Sequence, residues 1–275
     1  MEDFSKYNGP DTQLRRAQLV SIEILNEFDR VCKENGFTYW LDFGTLLGAI
    51  RHKGFIPWDD DIDVSMPLKD FERFKKTAGE KLKEGFFMQT EDTDPESGMG
   101  NGLFKIRKDN TLFINDFDDF RKQYHKGASI DVFADVPYPT VSKRVLKFLR
   151  RRICKAYGFF HYHQRLNFKN IVAYFFFPFS YVFFKGIWKL ICFFKKKDRE
   201  LTPIDRLIYG YPTLQSEMTP TSEVLFEGCM YPAPKNPNAR LSDMYGDYMT
   251  IPPEDKRRIH AKFICVDTSD CHVNL

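Results

Sequence analysis

The sequence predicts an α+β fold, in which a mixed sheet is flanked by helices. Short apolar runs bounded by Gly and Asp are typical of strands, and longer runs with apolar residues at helical spacing are typical of surface helices. Both patterns alternate along the chain, and acidic residues interrupt two of the predicted strands. At 275 residues the chain can bury a full hydrophobic core, and we expect one domain over residues 1–275 that carries an insertion over residues 141–200.

The predicted elements follow in chain order. A first helix is expected over Gln13 to Cys32, where apolar residues recur at helical spacing. A strand-like run, Phe37 to Leu41, precedes a short helical pattern that reaches Ile50. A second helix is expected after Pro67, because proline suits the first turn of a helix. Further strands are predicted at residues 86–89, 102–107, 111–115 and 129–133.

An acidic segment follows the short helix. Asp61 and Asp63 alternate with Ile62 and Val64, so an extended chain places the acids, with Asp59, on one face. Carboxylates aligned in this way repel one another unless a cation neutralises them. Consecutive acids are by themselves more often a solvated turn, but the alternation with apolar residues favours a metal site. Mg²⁺ or Mn²⁺ is expected, because hard divalent ions bind carboxylate oxygens together with substrate phosphates.

Gly44 and Thr45 are predicted to lie where the first strand turns into the short helix. Backbone N–H groups at a helix N-terminus, beside a glycine that permits close approach, bind phosphate well. We therefore expect a phosphate-binding turn that faces the acidic segment.

The spacing of the Gly-Thr turn and the Asp-Ile-Asp-Val strand resembles the nucleotidyltransferase superfamily. More narrowly, the chain resembles the LicD family of phosphocholine transferases, which is related to the fukutin-type enzymes. The segments that carry this resemblance are LDFGTLLGAIRHKGFIPWDDDIDVSMP (residues 41–67), IDVF (130–133) and PAPKNPNARLSDMYGDYM (232–249). The resemblance implies a nucleotidyltransferase-like mixed sheet and transfer of a phospho-alcohol, such as phosphocholine, from a CDP-activated donor to a hydroxyl of a glycan or glycolipid precursor of lipopolysaccharide or teichoic acid type.

The resemblance also implies a third carboxylate on a later strand, and Asp131 fits that position. Asp131 lies between Ile130 and Val132, where an acid on a buried strand is costly unless it meets a cation or a donor. We expect Asp61, Asp63 and Asp131 to be catalytic and to bind the metal, with Asp131 accepting the hydroxyl proton.

Other residues are candidates for contacts with the substrates. Lys105 and Arg107 share one face of a predicted strand and suit donor phosphates, although a solvated surface position is the alternative. A further set of residues is predicted to line the substrate site. Core packing or structural turns are the alternative roles for these residues. This set is Trp58, Asp59, Glu227, Tyr245 and Asp247.

Residues 141–200 differ from the rest of the chain. They hold fifteen Lys or Arg against two acids, whereas the whole chain has a net charge of +3. They also contain a dense aromatic run from Tyr174 to Phe184. Lys185 and Lys189 argue against a transmembrane span, so we expect helices that lie on an anionic membrane with these amines snorkelling outward; helices packed on the domain are the alternative. No nucleic-acid-binding motif is present, and no nucleic-acid partner is expected.

The chain is expected to be cytoplasmic, at the inner face of the cell membrane. Its first residues are acidic and polar, unlike an export signal, and its six cysteines form no C-x-x-C pair, which favours reduced thiols. Two rival functions stay open from the sequence: transfer of a nucleotide to a small molecule or protein, and a membrane-docking scaffold with a degenerate site.

Overall fold

The computed structural model describes residues 3–99, 102–115, 118–161, 168–206 and 210–269. The helices in these ranges are α1 (Ser5–Asn8), α2 (Gln13–Asn35), α3 (Phe43–His52), α4 (Leu68–Thr77), α5 (Lys143–His161), α6 (Phe168–Phe194), α7 (Gln215–Met218) and α8 (Pro237–Tyr245). The strands are β1 (Trp40–Leu41), β2 (Ile62–Pro67), β3 (Phe86–Gln89), β4 (Leu103–Lys108), β5 (Leu112–Asn115), β6 (Ser129–Pro139), β7 (Lys197–Leu201), β8 (Thr213–Leu214), β9 (Ser222–Phe226), β10 (Cys229–Ala233) and β11 (Ala261–Cys265).

A mixed sheet forms the centre of the fold. Its strands run in the order β1-β2-β6-β4-β3, and the far end of β6 also pairs with β7, which pairs with β8. Strands β2 and β6 are parallel, and the other pairs in this sheet are antiparallel. Two small antiparallel sheets, β9–β10 and β5–β11, complete the described strands. The predicted α+β class is confirmed.

The main hydrophobic core lies on one face of the central sheet. Helices α2 and α4 both contact β6 there, and α4 also contacts β2. On α4, Phe74 stacks on Phe104 of β4 with ring centroids 5.3 Å apart. Ile62 and Val64 are fully buried in this core, whereas Asp61 and Asp63 are only half-buried. Since strand side chains alternate, the acids lie on the face that α2 and α4 leave uncovered.

A second, smaller core joins α5 and α6 to the far end of β6 and to β7. Tyr138 and Trp188 pack against each other in it, with ring centroids 5.2 Å apart. Phe43, at the start of α3, belongs to this core and lies 5.0 Å from Phe133 of β6. The second core thus adjoins the turn that precedes the acidic segment.

Several element boundaries differ from those that the sequence predicts. Helix α2 and strand β3 are confirmed. The run from Phe37 to Leu41 forms a strand only at Trp40–Leu41, and β6 continues to Pro139 instead of ending near Phe133. Strand β2 begins at Ile62, so Asp59 lies in the preceding turn and not on the strand. Cys265 is disulfide-bonded, so the prediction of reduced thiols is wrong for that residue; Cys32, Cys192 and Cys229 are free.

Gly48 allows α3 to pack directly on the segment that leads to the acids. A methyl group on Gly48 would lie 2.4 Å from the carbonyl oxygen of Gly54 and 2.9 Å from the backbone nitrogen of Ile56. We expect Gly48→Ala to lower the free energy of unfolding by about 1–3 kcal/mol, because backbone atoms must move apart. Gly186→Ala in α6 is the matched control, since nothing lies within 4 Å of its added methyl group. The control should be neutral or stabilising by up to about 1 kcal/mol, and urea denaturation that finds equal effects for both variants would contradict the packing argument.

Candidate active site

A row of polar side chains crosses three adjacent strands on the open face of the sheet. Asp63 of β2 is in register with Asp131 of the parallel strand β6. Asp131 is in turn in register with Lys105 of the antiparallel strand β4. Paired residues on neighbouring strands point to the same face, so the three side chains lie side by side. The ammonium group of Lys105 lies 2.5 Å from Oδ1 of Asp131.

Asp59 and Asp61 extend this row at the entrance to β2. Their carboxyl groups share a hydrogen bond. Burial, followed by the charge of Asp61, raises the pKa of Asp59 well above its usual value. Burial and the charge of Asp60 raise the pKa of Asp61, and Asp131 adds to the effect. The turn and the strand entrance therefore concentrate negative charge at one end of β2.

Asp63 is also affected by the other acids of this cluster. Burial raises its pKa well above the ordinary value, and the charges of Asp61, Asp131 and Asp59 raise it further, in that order. The fold thus places several carboxylates where each disfavours ionisation of its neighbours. A bound cation would relieve this repulsion.

Asp60 and His260 form a second group of polar side chains beside the cluster. Asp60 accepts the backbone N–H groups of His260 at 2.9 Å and Ala261 at 2.8 Å, and so fixes the start of β11. A hydrogen bond to Asp60 raises the pKa of His260. Potential ligand atoms of Asp59, Asp60 and His260 all lie within 4.8 Å of one another. Within the described ranges, Asp61, Asp63 and Asp131 do not form a group as tight as this one.

These donors fit a hard divalent cation. The groups at the end of β2 are carboxylates, with one imidazole beside them, and oxygen-rich sets of this kind suit Mg²⁺ or Mn²⁺. Mutual repulsion among Asp59, Asp61 and Asp63 shows that the fold holds more negative charge here than Lys105 offsets.

The turn at Gly44 and Thr45 lies against the acids, as its sequence position suggests. Asp42 caps α3, and its side chain accepts the N–H of Phe43 at 3.0 Å. Thr45 Oγ1 accepts the N–H of Asp63 at 2.8 Å, which ties the helix start to β2. A methyl group on Gly44 would lie 2.8 Å from Oδ2 of Asp59. The space beside Gly44, where we expected a phosphate, is therefore adjacent to a carboxylate.

A buried ion cluster lies behind this turn. The guanidinium group of Arg240 donates to Oδ1 and Oδ2 of Asp42 at 3.0 and 2.5 Å, and to Asp135 at 3.0 Å. All three side chains are almost completely inaccessible to solvent. Burial raises the pKa of Asp135 to about 7, even though Arg240 opposes the shift. Asp42 also accepts the hydroxyl of Ser65 at 2.7 Å, so the cluster joins α8 to α3, β2 and β6.

Sequence reasoning missed this cluster and the Asp60–His260 group. The available signals were weak. Asp42 precedes a helix and therefore has the position of an N-cap, and Arg240 lies within the C-terminal motif at residues 232–249. Nothing in the sequence connects Arg240 with Asp135, since the contact depends on tertiary packing.

The two predicted phosphate-binding cations have different surroundings. Lys105 is about one-fifth exposed and is paired with Asp131. Arg107 is buried, donates to Oε1 of Gln89 at 2.7 Å and to the carbonyl oxygen of Gly127 at 2.5 Å, and has a pKa lowered by burial. A solvated surface position is thus wrong for Arg107.

The remaining candidates differ in burial. Trp58 is buried beneath Phe4 and Tyr7, and the guanidinium of Arg257 lies 4.9 Å from its ring. Tyr245 and Asp247 are exposed, and Asp247 accepts the hydroxyl of Thr250 at 2.7 Å.

Glu227 has a structural environment. Its carboxylate pairs with Arg15 at 2.7 Å and accepts the N–H of Phe55 at 3.0 Å. It lies in the tight turn between β9 and β10, where its φ of 50° is in the left-handed region. These contacts agree with the structural alternative for Glu227.

Comparison with known proteins identifies the family. Residues 36–191 match the family described as LicD/FKTN/FKRP, nucleotidyltransferase domain. Over 263 residues the chain is 30% identical to the lipopolysaccharide cholinephosphotransferase LicD of Haemophilus influenzae. This match covers 90% of this chain and 95% of that protein. A shorter match, 43% identical over 49 residues, links 18% of the chain to 10% of the human ribitol 5-phosphate transferase FKRP. A 105-residue match of 30% identity links 38% of the chain to 8% of yeast mannosyltransferase regulator 4. The chain therefore belongs to the LicD family and is an enzyme of the transferase class.

Proposed function

We propose that this enzyme transfers phosphocholine, or a similar phospho-alcohol, from a CDP-activated donor to a hydroxyl of a cell-surface glycan precursor. The observation that carries the proposal is the row of Asp63, Asp131 and Lys105 on three adjacent strands, with Asp59 and Asp61 at its end. The near full-length relationship to a lipopolysaccharide cholinephosphotransferase supports the choice of group and a lipopolysaccharide-type acceptor. A teichoic acid precursor is a further candidate acceptor.

In the proposed reaction, the acceptor hydroxyl attacks the phosphorus that carries the alcohol. The bond from this phosphorus to the bridging oxygen breaks, CMP leaves, and the hydroxyl proton passes to a carboxylate. Asp131 is our candidate for that proton acceptor, and the ammonium group of Lys105, 2.5 Å from its Oδ1, would hold the carboxylate in place.

Asp61, Asp63 and Asp131 are proposed to hold Mg²⁺ or Mn²⁺, with Asp59 as an additional ligand candidate. When bound, the ion would neutralise charge on the phosphate oxygens, which is the main requirement in phosphoryl transfer. Arg107, which is buried within the same strand as Lys105, would add positive potential beneath the donor phosphates. Gly44 and Thr45 would place the first turn of α3 close to the donor phosphates.

The domain arrangement is part of this proposal. We propose that residues 1–275 act as one catalytic domain and that residues 141–200 are an insertion in it. The contact of Phe43 with Phe133 supports this arrangement, because it joins the core of the insertion to the start of α3. We place the enzyme in the cytoplasm, where nucleotide-activated donors are made.

A donor panel tests the proposal. The purified enzyme is incubated with Mg²⁺, a glycolipid acceptor extract and, separately, CDP-choline, CDP-ethanolamine, CDP-glycerol or CDP-ribitol. We expect release of CMP with one of these donors, loss of release in EDTA, and a product heavier by one phospho-alcohol. A product heavier by one nucleotide would overturn the proposal in favour of nucleotidyl transfer, and absence of CMP from every donor would exclude all four CDP-alcohols.

A further inference from the structure

Helix α6 has two faces with opposite character. One face packs on the protein: Trp188 is only 7% exposed, and the hydroxyl of Tyr181 donates to Asp205 at 2.8 Å. Lys185 lies on the same face and forms an ion pair with the buried Asp205. The expectation that Lys185 snorkels outward is therefore wrong, because its ammonium group is bound to the body of the protein.

The opposite face of α6 is apolar and uncovered. Nine of its apolar side chains are each more than half exposed, and at 3.6 residues per turn they lie within an arc of about 120°. Lys189 is exposed at the edge of this arc. We call this surface the docking face; it consists of Val172, Phe175, Phe176, Phe179, Val182, Phe183, Leu190, Phe193 and Phe194.

Helix α5 adds a strongly basic surface next to the docking face. Five cations and one phenylalanine line a shallow groove, the basic groove, with no acid among its lining residues. Asp198 and Glu200 are the acids of residues 141–200, and neither lies there, since Asp198 accepts the hydroxyl of Thr140 and Glu200 is buried. The groove is lined by Arg144, Lys147, Phe148, Arg151, Arg152 and Lys155.

The basic groove and the docking face are continuous. Phe148 of the groove lies 5.7 Å from Phe184, which lies 5.2 Å from Phe183 of the docking face, all measured between ring centroids. The guanidinium of Arg152 lies 5.5 Å from the ring of Phe148 and 5.9 Å from that of Phe184. Among the side chains that the structure describes, cations of the groove therefore border the apolar surface directly.

We propose that α5 and α6 dock on an anionic lipid bilayer, with α6 lying in the plane of the interface. Exposed phenylalanines would enter the headgroup boundary, while the basic groove binds lipid phosphates. Charge complementarity favours lipid over a second copy of the chain, since two copies would bring like charges together. The proposal goes beyond the transferase activity and does not depend on it.

The contacts of α6 with the protein oppose a transmembrane orientation of the folded enzyme. Residues Ile171–Phe194 are long and apolar enough to cross a membrane. Spanning would, however, remove Lys185 from Asp205 and place its charge in hydrocarbon, and it would expose the second core at Trp188. An α6 helix that lies in the plane of the interface keeps these contacts, and only its docking face enters the bilayer.

Vesicle flotation tests the proposal with the full-length enzyme. Vesicles of equal parts phosphatidylglycerol and phosphatidylcholine should carry the enzyme upward, pure phosphatidylcholine should carry much less, and high salt should release it. Phe179→Glu with Phe183→Glu should weaken binding by about tenfold or more. The matched control is Phe120→Glu, which changes an equally exposed phenylalanine outside the helices and should float like the wild type.

Charge variants test the basic groove. Arg144→Gln with Arg151→Gln should weaken binding to the anionic vesicles by about 25-fold. Lys69→Gln with Lys76→Gln removes two exposed cations of α4 and should have little effect. Release of CMP from a soluble donor should be unchanged in all of these variants, so a failed docking proposal and a failed function proposal are distinguishable.

Three results would overturn the proposal. The first is a wild-type enzyme that does not float, or a double Phe variant that floats equally well. The second is release by detergent but not by salt, which would indicate a span. The third is a dimer without vesicles that the double Phe variant abolishes, which would assign the docking face to a second copy.

Discussion

Replacing Asp63 with Asn is expected to reduce turnover by about a thousandfold or more, because the site loses a ligand for the ion that stabilises charge on the phosphate oxygens. Asn preserves the shape of the side chain, so β2 and its register with Asp131 should persist. CMP release at saturating Mg²⁺ is the measurement. A variant that retains wild-type turnover would remove Asp63 from the proposed site.

The free energy of unfolding of the metal-free Asp63→Asn variant should not fall, although its turnover does. The pKa of Asp63 is raised in the folded protein, so the folded state disfavours its charge, and the resulting destabilisation grows as the pH rises above the ordinary carboxyl pKa. Removing the charge should leave the metal-free protein at least as stable as the wild type. Thermal unfolding should also show that Mg²⁺ raises the Tm of the wild type more than that of the variant. Asp92→Asn, at an exposed turn, is the matched control and should keep both turnover and the metal response.

Replacing Arg240 with Met is expected to lower the free energy of unfolding by about 3–5 kcal/mol, because Asp42 and Asp135 would remain buried without their cation. Arg240→Lys should recover only part of this loss, since one ammonium group cannot reproduce the paired bonds to Asp42. Urea denaturation measures both variants. Arg73→Met is the control: the Arg73 side chain is half exposed in its ion pair with Asp70, and we expect a loss below about 1 kcal/mol.

A double variant identifies the cause of the Arg240 effect. If the loss arises from uncompensated charge, adding Asp135→Asn to Arg240→Met should restore part of the stability. If the loss arises from the missing bulk of the arginine, the second change should lower stability further. The second outcome would contradict an electrostatic role for the cluster.

Local sequence patterns predicted much of the fold and part of the site. The alternation of Asp61 and Asp63 with Ile62 and Val64 was sufficient to assign the faces of β2, because period-two alternation is a local property. The register that aligns Asp63 with Asp131 and Lys105 joins distant strands, and only the family resemblance suggested that Asp131 would be a neighbour.

The remaining features depend on tertiary contacts that the sequence does not encode locally. Lys185 looked like a lysine in an apolar helix, and its partner Asp205 lies twenty residues away, in a turn that follows β7. Asp60 lies between Asp59 and Asp61 in the sequence and was not a predicted site residue, yet its carboxylate accepts the backbone N–H groups of His260 and Ala261. In both cases the chemistry of the residue was clear and its partner was not.

The ion cluster at Arg240 has a consequence for synthesis on the ribosome. Asp42 and Asp135 emerge long before Arg240, so a nascent or prematurely terminated chain carries two acids that have no counter-ion to accompany them into the interior. In such a chain, folding of the central sheet would bury both acids without a cation, which costs free energy. Truncated products should therefore be degraded rather than persist as inactive competitors for the acceptor.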